Sequence, residues 1–157
     1  MRRTEFAIIG AGPGGYVAAL RASQLGAKVI LIEKQWLGGV CLNVGCIPTK
    51  ALLRSAEVFS LMGRAADFGI ATSAPSIDWQ KVQVRKTQVV KQLVGGVTAL
   101  LEKAGVEVVS GEARFLTTDT LEVKSKAGLD SIVADHIIIA TGSRAAQLPI
   151  AGIQSPR

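Results

Sequence analysis

The chain is poor in aromatics, histidine, cysteine and charge, and each shortage excludes something. Aromatic residues make up 4% of 157, too few and too scattered for a base-stacking platform, so the net charge of +6 is not read as a nucleic-acid surface. One histidine and two cysteines are present. A structural zinc site takes four ligands and a catalytic one three, so no metal centre is expected. No apolar run approaches the roughly 18 residues a membrane helix needs, so no membrane partner is expected. Charged residues are 19%, without a block of one sign, which argues against long disorder. Arg2-Arg3 faintly resembles a twin-arginine export signal. The next residues, Ala7-Ile8-Ile9-Gly10-Ala11-Gly12-Pro13, are broken by glycine and proline instead of forming an apolar export core. The two arginines are read as the approach to a first strand, in a cytoplasmic protein.

Glycine is what the chain has in plenty, 17 residues, and the glycines cluster. With 48% hydrophobic residues the chain can build one α/β domain core. Phe6–Ile9 and Lys28–Glu33 read as buried strands on either side of a helix over residues 13–25, with Gly26 after it. Strand, helix and strand at this spacing make a right-handed parallel βαβ unit. Beyond the Gln35–Gly39 loop a single helix is expected from about Leu42 to Met62, and Asp67–Ser76 reads as loop. Asp78 is placed to cap a long helix ending near Ala104, whose apolar face is expected to carry Trp79, Val82, Val89, Leu93, Val97 and Leu100. Gly95-Gly96 inside it predicts a kink or a close helix contact, and Lys81, Arg85, Lys86 and Lys91 a solvated face. Val106–Val109 is a third strand, residues 112–134 a small antiparallel meander with turns at Thr117–Thr120 and Lys126–Asp130, and Ile137–Ala140 another buried strand. The stretch from Leu148 to Arg157 reads as loop or tail.

Three motifs carry chemistry. In Gly10-Ala11-Gly12-Pro13-Gly14-Gly15, the glycines at 10, 12 and 15 fit a dinucleotide fingerprint. The first permits a tight turn, the second lets a pyrophosphate approach the backbone, and the third lets helix and strand pack closely. Glu33, twenty-three positions after Gly10 at the end of the second strand, is placed to accept hydrogen bonds from ribose hydroxyls and disfavours a 2′-phosphate. The second motif, Gly38-Gly39-Val40-Cys41-Leu42-Asn43-Val44-Gly45-Cys46-Ile47-Pro48-Thr49-Lys50, holds both cysteines. A regular helix would keep positions i and i+5 apart, but Gly45 and Pro48 make the turn irregular enough to bring the sulfurs together. A helix N-terminus and Lys50 would favour a thiolate. The pair is a redox couple or, more blandly, two inert buried thiols. The third motif, Ile137-Ile138-Ile139-Ala140-Thr141-Gly142-Ser143, ends a buried strand at the carboxyl edge of a sheet, where ligands bind. His136 has no acidic or cysteine neighbour of motif type and is expected to be structural.

Together these residues resemble the flavoprotein disulfide reductases, the class I pyridine nucleotide-disulfide oxidoreductases, over about residues 3–149. Within them, Cys41–Lys50 followed by Ala51-Leu52-Leu53 is most similar to the dihydrolipoyl dehydrogenase branch, the E3 component of 2-oxo acid dehydrogenase complexes. Glutathione and mercuric reductases are similar but usually differ around Leu42 and Ile47–Thr49. The resemblance implies a Rossmann-like FAD-binding domain: Gly10, Gly12 and Gly15 at the pyrophosphate, Glu33 with Lys34 at the adenosine ribose, and Ala113 at the adenine through its backbone. It places Gly39, Val40 and Cys41 along the flavin, Lys50 near its reactive nitrogen, and Thr141, Gly142 and Ser143 closing over the cofactor. It makes Cys41 the outer, interchange thiol and Cys46 the inner thiol against the flavin, cycling through a Cys41–Cys46 disulfide, with NAD the electron acceptor of the complete protein. Lipoyl domains are the implied partners and a homodimer the implied parent. The family chain is much longer, so residues 1–149 are expected to be the N-terminal part of an FAD-binding domain and 150–157 a tail, with NAD-binding and dimerisation domains lacking. Alone, such a fragment is expected to turn over weakly or not at all. The alternatives are a glutathione- or mercuric-reductase-like enzyme and a non-catalytic FAD-binding fragment.

Overall fold

The computed structural model describes residues 1–153 and Ser155. The apolar run at Val29–Glu33 (β2) is buried on both faces, the mark of an inner parallel strand. It pairs in parallel with Arg2–Ile9 (β1) on one side and with Glu107–Ser110 (β3) on the other. A helix at Pro13–Gln24 (α1) makes the crossover, its proline in the first turn, where the missing N–H removes no helical bond. Gly26, with φ +91°, turns the chain back after it.

β1 is longer than the apolar run that announces it, while β3 lies one residue beyond the expected Val106–Val109. β1 begins at Arg2, whose guanidinium reaches Glu107 at 2.5 Å and Asp130 at 2.7 Å. The meander is present as Glu112–Phe115 (β4), Thr120–Ser125 (β5) and the first half of Gly128–Ile139 (β6). The buried strand expected over Ile137–Ala140 is not a separate element but the second half of β6. From Gly128 to Val133 β6 pairs antiparallel with β5, and from Ile132 to Ile139 it pairs in parallel with β1. Leu129 and Asp130, expected in a turn, are therefore already strand. The sheet order is β3-β2-β1-β6-β5-β4, so β1 leaves the sheet between two parallel neighbours, the place where the carboxyl ends of such sheets open a crevice.

Alternate residues of the parallel strands feed two cores. Ile8, Val29 and Leu31 pack with Ala19 of α1 and with Val97 and Leu101 on the helix side. Ala7, Ile30 and Ile32 pack with Leu121, Val123, Ile132 and Ala134 on the meander side. The sheet is thus covered by helices on one face and by its own antiparallel end on the other.

The single helix expected from Leu42 to Met62 is two helices, Gly39–Asn43 (α2) and Cys46–Gly63 (α3), because the backbone leaves helical geometry at Val44-Gly45. Ala65–Phe68 forms a 3-10 turn that overlaps the start of the Asp67–Ser76 loop. The long helix runs Trp79–Lys103 (α4) with Asp78 as its cap, accepting from the Lys81 N–H at 3.0 Å. Its core face keeps Val97, with Val82 and Val89 half-buried, but departs from the expected one at Trp79, Leu93 and Leu100. Leu101 is fully buried, whereas Leu100 is 54% exposed and Trp79 60% exposed. A Cβ at Gly95 or Gly96 would meet nothing within 4 Å, so the close contact expected there is absent. Arg85 does more than decorate a wet face: its guanidinium donates to the Ala51 carbonyl at 3.1 Å, tying α4 to α3. His136 stands opposite Phe6 in the β1–β6 register, with ring centroids 5.0 Å apart. The tail expected over residues 150–157 shows a turn at residues 151–153, and Gln154, Pro156 and Arg157 lie outside the described residues.

The choice of Leu101 over Leu100 as the buried residue of α4 is testable by truncation. Leu101→Ala should cost about 2–5 kcal/mol in chemical denaturation, while Leu100→Ala should cost under about 1 kcal/mol. Equal losses would contradict the packing.

Candidate functional site

Three chain segments meet at the carboxyl edge of β1, β2 and β6. Gly10 leaves β1 with φ +101°, and a Cβ there would lie 2.4 Å from the Ala140 carbonyl oxygen at the end of β6. A Cβ on Gly15 would fall 1.7 Å from the Gly10 oxygen, so the first and third glycines of the fingerprint are packed against each other. Gly12 is different. A Cβ there would meet only the Gly39 Cα, at an ordinary 3.9 Å, and otherwise open space. From the other side the approach is tight: a Cβ on Gly39, itself at φ +61°, would sit 2.6 Å from the Gly12 Cα. The start of α1 has no side-chain cap and no acidic residue in its first turn, leaving its N–H groups and positive dipole end for an anion.

Above this contact lies a cavity of about 760 Å³. Of the residues singled out in the sequence, Gly10, Gly12, Glu33, Lys34, Gly39, Val40, Cys41, Cys46, Thr141, Gly142 and Ser143 all line it. Ala113 lines a smaller cavity of about 130 Å³ that shares Gly10, Glu33, Lys34 and Thr141 with the larger one. Lys34 pairs with Glu112 at 3.1 Å on the rim of the smaller cavity, both largely exposed, a pair that orients the lip more than it stabilises the fold. Gly15 lies behind the wall. Lys50 lines neither cavity. It sits four residues after Cys46 on α3, and its charge is felt at Cys41.

The sequence reading missed Trp36 and Arg144, which also line the larger cavity. Arg144 had a signal, a basic residue directly after the strand-end Thr-Gly-Ser. Trp36 had none, because its place depends on a turn made by its backbone.

Glu33 is where the sequence places it, at the end of β2, but its carboxylate is already engaged. Oε2 accepts from the Ala11 N–H at 2.7 Å, and Oε1 from the Gln35 and Trp36 N–H groups at 2.8 and 3.2 Å.

The break at Val44-Gly45 puts Cys41 on α2 and Cys46 at the first position of α3. The two thiols are unbonded, Cys46 exposed and Cys41 half-buried. The thiolate-favouring surroundings expected for the pair do not prevail at Cys41. Hydrogen bonding to the Cys46 side chain, then burial, then the Cys46 charge push the Cys41 thiol above its ordinary range. The Cys46 backbone N–H and Lys50 pull the other way and do not outweigh them.

Removing the partner sulfur should reverse that balance. In Cys46→Ala, Cys41 keeps the Lys50 charge and the backbone N–H of position 46 but loses the largest opposing influence. Its alkylation by iodoacetamide, followed by mass spectrometry across pH, should begin at lower pH than in the unaltered chain. A profile unchanged or displaced upward would show that Cys46 is not what holds the proton on Cys41.

Comparison with known proteins agrees with this geometry. Dihydrolipoyl dehydrogenase of Acholeplasma laidlawii is 48% identical over 151 residues, covering 96% of this chain and 44% of the relative. The Geobacillus stearothermophilus dihydrolipoyl dehydrogenase is 49% identical over 146 residues, covering 93% and 31%. This chain therefore spans less than half the length of the curated relatives it matches. Among solved structures, the Cu(II) complex of the HOCl-induced flavoprotein disulfide reductase RclA from Escherichia coli superposes with a TM-score of 0.81 at 30% identity, over 99% of this chain and 32% of that one. No helix among the described residues is long and apolar enough to cross a membrane. The family model described as pyridine nucleotide-disulphide oxidoreductase matches residues 4–156, and the chain belongs to that family of oxidoreductases.

Proposed function

We propose that this chain is the FAD- and dithiol-bearing part of a dihydrolipoyl dehydrogenase, acting in the cytoplasm. The reading makes residues 1–149 the N-terminal part of the FAD-binding domain. It makes NAD the final electron acceptor, lipoyl domains of 2-oxo acid dehydrogenase complexes the partners, and a homodimer the complete protein. The observation that carries it is that one cavity is lined both by the phosphate-type glycine loop, Gly10 and Gly12, and by both cysteines.

The residues fit a dinucleotide. Open space at Gly12 leaves the backbone accessible to a pyrophosphate, and the uncapped start of α1 offers N–H groups to its charge. Thr141, Gly142 and Ser143 flank the same space, and Ala113 lies in the adjoining smaller cavity beyond Glu33 and Lys34. Val40 and Cys41 come directly after Gly39, the residue that touches the glycine loop. Lys50 contributes as a charge near the thiols rather than as a wall of the cavity.

The thiols do the exchange chemistry. In the oxidised enzyme Cys41 and Cys46 share a disulfide. A substrate thiolate attacks the Cys41 sulfur, forming a mixed disulfide and releasing Cys46 as thiolate. The second substrate thiol, giving its proton to a base, then attacks the mixed disulfide. The oxidised lipoyl ring departs and Cys41 is left reduced. The upward push on the Cys41 thiol from its hydrogen bond to Cys46 suits attack at Cys41, since the sulfur that is the poorer leaving group is the one that takes the substrate. Bound FAD would supply the two-electron acceptor that returns the dithiol to the disulfide.

Gly12 separates cofactor binding from folding. Gly12→Ala should leave the unfolding free energy within about 1 kcal/mol, because its Cβ meets no protein atom closely. The same change should weaken FAD binding, tracked by flavin fluorescence, by about tenfold or more, since a methyl group would stand where the pyrophosphate must approach the backbone. Equal FAD affinity in the two chains would refute the assignment.

A further inference from the structure

Two hydrogen-bond relays run from Glu33 to the turn that starts the cysteine segment. In the first, Ala11 donates its N–H to Glu33 Oε2 at 2.7 Å while its carbonyl accepts from the Gly38 N–H at 2.9 Å. In the second, Trp36 donates its N–H to Glu33 Oε1 at 3.2 Å while its carbonyl accepts from the Gly39 N–H at 2.9 Å. Gln35 adds a third donor to Oε1 at 2.8 Å. Gly38 and Gly39 both have positive φ, +88° and +61°, and α2, which carries Cys41, starts at that turn. From the other side the Asn43 side-chain amide donates to the Leu37 and Gly39 carbonyls, both at 2.9 Å. The turn is therefore fixed between a carboxylate on one flank and an amide on the other.

We propose that Glu33 is a positioning residue for the dithiol. Through Ala11 and Trp36 its carboxylate sets the Gly38-Gly39 turn, and with it the place of the Cys41 sulfur beside Cys46. This rests on the proposed function, in which Cys41 is the exchange thiol, and it gives Glu33 a task besides accepting a ribose hydroxyl. The chemistry of the side chain fits. An ionised carboxylate is an acceptor only, with about four lone-pair directions. Three are taken by backbone donors from two different loops, leaving about one for a sugar. A glutamine could serve one of the two relays with its oxygen, but its NH2 group would face the donors of the other. An aspartate keeps the charge with a shorter reach.

The test uses the 157-residue chain, reduced and without added flavin, as Glu33→Gln and Glu33→Asp. Two quantities are read: amide hydrogen exchange, and the pH profile of iodoacetamide labelling at Cys41. In Glu33→Gln the Gly38 and Gly39 amides, held through Ala11 and Trp36, should exchange about tenfold faster or more, the size expected when the hydrogen bond to a charged group at the head of each relay is lost. The Cys41 labelling profile should move with them, while the β1–β2 ladder at Ile8 and Leu31 keeps its protection. Glu33→Asp should restore part of both effects. Exchange accelerated equally across the sheet in both variants would make Glu33 a general stabiliser and overturn the proposal. Unchanged exchange at Gly38 and Gly39 with an unchanged Cys41 profile would overturn it as well, leaving Glu33 a nucleotide ligand alone. No flavin is needed, so this result stands or falls separately from the FAD titration.

Discussion

The backbones of Gly12 and Gly39 come so close that neither loop could be placed without the other. One loop ends β1 and begins α1; the other leads from β2 into the cysteine helices. A Cβ on Gly39 would overlap the Gly12 Cα, so the van der Waals surface of a bare peptide sets how near the dithiol comes to the anion-binding end of α1. The rest of the site depends on that contact. β1 lies between β2 and β6, so the ends of three parallel strands open onto one crevice, and the segments leaving them share one cavity. The two cores hold these strands from opposite faces, helices on one and the meander on the other. A rigid platform of this kind allows a ligand to bind without first ordering the loops that receive it.

The contact also divides labour among the glycines. Gly15 is filled space, its missing Cβ taken by the Gly10 carbonyl, whereas Gly12 is unfilled space. A glycine of the first kind belongs to the fold and one of the second kind to the ligand. Their order in the fingerprint already separates the two, and the environment of each absent Cβ shows the same division.

The features legible in the sequence obey physical rules that act over a few residues. The fully apolar run at Val29–Ile32, the Asp78 cap and the glycine loop between strand and helix are local signals, and they lead to the right strands, the right long helix and most of the cavity wall. Signals that depend on distant partners are illegible. The phase of α4 cannot be fixed between Leu100 and Leu101, because both fit an apolar stripe and only the β-sheet beneath chooses one. β6 reads as two elements because its sequence changes character where its partner changes from β5 to β1. The helix break at Val44-Gly45 is foreshadowed by Gly45 and Pro48 as an irregular turn, but not as the boundary between two helices. The donors to Glu33 leave no trace in side-chain identity, since all three are backbone N–H groups.

Those backbone donors explain how a chain of net charge +6 keeps a carboxylate and two sulfurs in one small region without mutual repulsion dominating. The Glu33 charge is spread over backbone dipoles from two loops. At the dithiol, hydrogen bonding to the Cys46 side chain and burial push the Cys41 thiol up, against the pull of the Lys50 charge. The Glu33 carboxylate in the crevice is thus met by backbone N–H groups, and Lys34 and Arg144 also line the space. The uncapped start of α1 is the place where the same crevice still offers positive potential. The cysteine helices form the other end of the same crevice. The Gly12–Gly39 contact, which neither charge nor sulfur supplies, keeps the two ends at a fixed separation.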